Sequence, residues 1–70
     1  MNICQRNIDI LDGKRARVTD TDGNVYVGKG YQPCIATYKD GEEGDGICFL
    51  CDDGLDLIFA EDEIANVELL

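Results

Sequence analysis

From Lys14 to Asp20 the chain reads KRARVTD, with Ala16 and Val18 on one side and Arg15, Arg17 and Thr19 on the other. That two-residue period predicts a half-buried strand. TDGN follows with turn chemistry that places a positive φ at Gly23 or Asn24, and VYVGKGY resumes with β-branched and aromatic residues. The first unit is therefore a hairpin. Its second strand is expected to run from Val25 towards Tyr38, interrupted by Gly28, Gly30 and Pro33. Glycine inside a strand marks a bulge or bend, and proline is tolerated only where no ladder donor is needed. One long strand, bent hard enough to serve two sheets, is the expected result.

KDGEEGDG, Lys39 to Gly46, has no apolar residue in eight and reads as an exposed loop. ICFLC and LDLIFA, separated by the turn residues Asp52 to Gly54, are apolar runs dense enough to predict burial on both faces. Glu61 to Glu63 form a charged turn before IANVELL closes the chain as a last strand. At the other end Ile3, Ile8 and Leu11 predict a short helix against the end of the sheet, with a loose extension as the alternative. Five closely spaced strands, glycine at the bends and no long helix predict a mainly β fold, a strongly bent small barrel of SH3-like type. Full or near closure would also protect strand edges that otherwise invite aggregation.

Seventy residues make one domain, residues 1–70, because a second core would have too little apolar surface to bury. At this size a core alone rarely supplies more than roughly 3 to 5 kcal/mol, so disulfides, a metal or self-association become reasonable supports. The formal net charge is -9, with acidic residues spread from Asp9 to Glu68. Such a surface repels phosphate backbones and favours basic partners. The opening MNICQRNIDILDGK lacks the apolar region and cleavage site of a signal peptide, and no run approaches the roughly 20 apolar residues of a membrane span. The expectation is a cytoplasmic protein whose four cysteines are reduced thiols.

The stretch DTDGNVYVG alternates Asp20, Asp22 and Asn24 as calcium ligands do, but an EF-hand loop needs glycine sixth and glutamate twelfth. Val25 and Tyr31 stand there, so the hairpin turn is preferred. Cys48 and Cys51 have the spacing of a metal knuckle, with Cys34 and Cys4 available to complete a zinc site. Residues three apart on a strand point to opposite faces, which favours buried structural thiols over zinc. There is no histidine to build a Ser-His or Cys-His relay, and no phosphate loop with its lysine. A non-enzymatic protein without cofactor is expected. Lys14, Arg15 and Arg17, with Lys29 near, are the one basic cluster and the candidate RNA contacts. The plainer role for the arginines is pairing with carboxylates of their own surface.

LDGKRARVTDTDGNVYVGKG followed by LIFAEDEIANVELL resembles the Sm-like (LSm) domain, through Gly13, Lys14, Val18, Asp22, Gly23, Tyr26, Gly28, Ile64 and Val67. The resemblance implies a short helix followed by five bent strands. It also implies rings in which the fourth strand of one subunit pairs with the fifth of the next, here near residues 54–60 and 64–70. The family's RNA pocket is not carried over. Its aspartate and asparagine positions fall on Cys34 and Tyr38, and its Arg-Gly is replaced by Ala60 and Glu61. The expectation is an interaction module that binds protein or itself. The alternatives are RNA binding through Lys14, Arg15 and Arg17, and an acidic mimic of nucleic acid that occupies a basic target.

Overall fold

The computed structural model describes residues 6–70. Helix α1 (Asn7–Leu11) precedes strands β1 (Arg15–Asp20), β2 (Val25–Thr37), β3 (Glu43–Cys51), β4 (Asp56–Ala60) and β5 (Ile64–Leu69), with a 3-10 turn at Glu61–Glu63 between the last two. All five strands lie in one antiparallel sheet of order β4-β3-β2-β1-β5. Ile8 and Leu11 of α1 are buried, as the short-helix expectation required, while Ile3 lies outside the described residues.

The sheet must curl. Its edges β4 and β5 are joined by three residues, a link of at most roughly 14 Å, whereas four strand spacings across a flat sheet come to about 19 Å. Curling stops short of closure, because β4 pairs only with β3 and β5 only with β1. The barrel is thus an open one with two free edges, where the sequence suggested closed or protected edges.

Strand β2 carries the bend. Its residues Val25 to Lys29 pair with β1 and Gly28 to Thr37 with β3, so one strand serves two neighbours in succession. The register shifts between Gly30 and Gln32, leaving Tyr31 as an extra residue, and Pro33 lies beyond the reach of β1. Inside the curl, Val18, Ile47, Phe49, Phe59 and Ile64 form the core with Ile8, Leu11, Ala16 and Cys51. The Phe59 ring meets both Tyr26 and Phe49 edge-on, each pair 5.5 Å between centroids. Such edge contacts add roughly 0.5–1.5 kcal/mol beyond area burial.

Two expectations need correction. Lys39 to Gly46 is not all loop: Glu43 to Gly46 belong to β3 and pair with Thr37 to Cys34. The glycines there serve close approach rather than flexibility. A Cβ on Gly44 would lie 2.5 Å from the Tyr38 ring, and one on Gly46 would lie 2.6 Å from the Ala36 Cβ. Nor are β3 and β4 buried on both faces. Ile47, Phe49 and Phe59 point into the core, but Leu50 is 47% and Ile58 57% exposed on the opposite face.

Candidate interaction surface

The exposed face of β2, β3 and β4 is built by pairing register. Cys48 stands between Gln32 on β2 and Ile58 on β4, and Leu50 stands between Lys29 and Asp56. Directly paired residues share a face, so Cys48, Leu50 and Ile58 form one apolar area. Tyr31, displaced by the bulge, adds its ring. Its hydroxyl donates to the Asp56 carboxylate, at 2.8 Å from Oδ2. That contact reaches from β2 to β4 and lays the ring across β3. The hydrogen bond to Asp56, then burial, push the Tyr31 phenol up to about 12. Tyr38 covers the neighbouring part of the sheet, donating from its hydroxyl to the Asp45 carbonyl at 3.0 Å. Beyond it the face is open, with Tyr31 44% exposed beside Leu50 and Ile58.

Both sheet edges adjoin apolar side chains. Ile58 sits on the β4 edge, and Leu69 and Leu70, 53% and 56% exposed, end the β5 edge. A groove of about 370 Å³ opens at the β3–β4 turn, lined by Val25, Tyr26, Val27 and Leu55 with Asp52 and Asp53 at its rim. A smaller cleft of about 90 Å³ lies between α1 and the far half of the sheet, beside Arg6, Asp9 and Asp45.

The basic cluster lies on the outer side of β1. Arg15 pairs with Asp52, and Arg17 reaches Glu68 at 2.5 Å, with all four side chains about half exposed. Lys14 and Lys29 are exposed and make no ion pair among the described residues. An RNA phosphate at either arginine would therefore compete with an internal carboxylate. Such exposed pairs are individually worth roughly 0–1 kcal/mol, but they cancel the local positive field.

The acidic turn is a hairpin. The Asp20 Oδ1 accepts the backbone N–H groups of Asp22 and Asn24 at 2.9 and 2.8 Å, and Gly23 takes the positive φ of 88°. Burial pushes the Asp20 carboxyl up, but its hydrogen bonds from Asn24 and Asp22 outweigh that and hold it below the usual value. Glu61, where the resembled family has part of its RNA signature, is committed to structure. Its carboxylate accepts the N–H groups of Asn7 and Ile8 at 3.2 and 3.0 Å and so caps α1 from the far end of the chain.

The thiols divide between faces. Cys51 points inward and is buried, as structural thiols were expected to be, whereas Cys34 and Cys48 are only half-buried on the open side, which corrects that expectation for them. Cys48 and Cys51 thus cannot share an ion, and Cys4, the fourth proposed zinc ligand, lies outside the described residues. Sequence reasoning passed over Tyr31, Leu50 and Ile58 as site residues; the signal was the apolar density of ICFLC and LDLIFA, read as burial on both sides. No family model matches this chain, and neither a curated protein nor a solved structure matches it.

Proposed function

We propose that this chain is a non-enzymatic interaction module of Sm-like kind that assembles with further copies of itself, edge strand β4 of one copy receiving β5 of the next. The observation that carries the reading is the uncovered apolar face of β3 and β4: a sequence dense enough for burial on both sides leaves Leu50, Ile58 and Tyr31 about half exposed. Each side chain retains roughly 1 kcal/mol of burial still to be gained, taking half of a full side-chain transfer. The short helix followed by five bent strands also agrees with what the sequence resemblance implies. Two different free edges meeting head to tail form a ring when the rotation closes. RNA binding is less well supported, since Arg15 and Arg17 are engaged by Asp52 and Glu68.

Sedimentation velocity across the micromolar range tests the proposal. The unmodified chain is expected to sediment as an oligomer, and Ile58→Lys on the β4 edge as a folded monomer. A chain that stays monomeric at every concentration, or an Ile58→Lys variant that assembles as well as the parent, would overturn it.

A further inference from the structure

In the far half of the β2–β3 pair the strands are coiled so that the side chains of Ala36 and of Tyr38, just past the end of β2, lie over the residue two beyond the one each faces. Tyr38, which bonds to Glu42, lies on Gly44; Ala36, which pairs with Gly44, has its Cβ 2.6 Å from the Cβ position of Gly46. Cys34 pairs with Gly46, so the next member of this diagonal series is Cys48. An ordinary antiparallel diagonal separates Cα atoms by roughly 7–8 Å, too far for a disulfide, but the Ala36–Gly46 approach shows this pair of strands coiled more tightly than that, and the same coil carries Cys34 towards Cys48. Gly46 puts no side chain between the two thiols, and both are half-buried rather than sealed in the core. They interact: burial first, then the hydrogen bond with Cys48, push the Cys34 thiol up.

We propose that Cys34 and Cys48 form a dithiol exchange site on the open face, which closes to an intramolecular disulfide by reaction with a small disulfide of the glutathione class. The Cys34 thiolate attacks one sulfur of the oxidised glutathione, and its partner leaves as a thiolate that takes a proton from water. Cys48, deprotonated, then attacks the Cys34 sulfur of the mixed disulfide and releases the second glutathione. Two cysteine thiols are oxidised, one small disulfide is reduced to two thiols, and no other oxidant is needed. Because exchange proceeds through the thiolate, closure accelerates as pH rises above neutrality. Cys51, on the inward face, takes no part.

The test uses the folded full chain carrying Cys4→Ser, incubated with oxidised glutathione, quenched by acid and read by intact mass and peptide mapping. The expected product has lost two hydrogens and carries a Cys34–Cys48 link. Adding Cys34→Ser or Cys48→Ser abolishes that product and leaves a stable glutathione adduct on the remaining thiol. Circular dichroism of each variant confirms that it is folded. A persistent glutathione adduct with both cysteines present, a link involving Cys51, a link between two chains, or no reaction while both thiols are alkylated by iodoacetamide would each overturn the proposal.

Discussion

Removing the Glu61 carboxylate should loosen the molecule at the turn that links its two sheet edges. Glu61 Oε2 and Oε1 accept the N–H groups of Asn7 and Ile8, the first two residues of α1, across more than fifty residues of chain. The helix has no side-chain cap of its own, and it delivers Ile8 and Leu11, 5% and 0% exposed, to the core. In Glu61→Ala two part-buried donors lose their acceptor and the negative charge leaves the helix N-terminus. Cap losses cost roughly 0.5–2 kcal/mol, and the charge at the helix end about 0.3–1 kcal/mol. Taken together the expected loss is about 1–3 kcal/mol. For a domain of this size each kcal/mol moves the melting temperature by roughly 4–8 °C, so a fall of about 4–24 °C is expected. Urea unfolding followed by circular dichroism gives the free energy directly. Glu61→Gln, which keeps one acceptor oxygen, should lose less. A Glu61→Ala variant as stable as the parent would refute the argument and leave α1 held by Ile8 and Leu11 alone.

Other substitutions probe separate parts of the fold. At Gly28 an added Cβ would lie 2.1 Å from the Leu50 carbonyl oxygen, a backbone atom that cannot swing aside, so Gly28→Ala should cost several kcal/mol in urea unfolding, roughly 3 or more. Asp20 is held below its unfolded value of about 3.9, so its contribution is fully present above that pH and is lost as pH falls through the lowered folded value. Asp20→Ala should accordingly flatten the acid limb of stability measured from neutral pH to pH 2, and an unchanged limb would count against the turn bonds. Self-association should strengthen as salt is raised, because copies of net charge -9 repel one another and the screening length falls from about 8 Å at physiological strength to about 3 Å at 1 M. Weakening with salt in sedimentation runs would point instead to a basic partner or a phosphate backbone.

The two hairpins were legible because their signals are local. Asp22-Gly23 sits between alternating strands, Asp53-Gly54 separates two apolar runs, and the Gly28, Gly30 and Pro33 interruptions foretold the bend in β2. Burial on one face or two was not legible in ICFLC and LDLIFA. A continuous apolar run is the same whether its second face meets a helix, another copy or water, and only the placement of Leu50 and Ile58 reveals that face as uncovered. Gly44 and Gly46 were mistaken for loop residues because composition alone does not separate a glycine that bends freely from one that admits a Tyr38 ring or an Ala36 methyl group. The diagonal placement of Cys34 and Cys48, two residues apart in pairing, depends on a register that the extra residue Tyr31 sets, and the Glu61 cap joins opposite ends of the chain. Neither leaves a trace in local spacing.

Amide hydrogen exchange, resolved by residue and recorded at a dilute and a concentrated condition, tests the uncovered edges most directly. If copies assemble by β4 meeting β5, the amides of Asp56 to Ala60 and of Ile64 to Leu69 that face away from β3 and β1 should become protected as concentration rises, while the β1–β2 amides stay as they were. Edge amides that exchange at the same fast rate in both conditions would contradict the account.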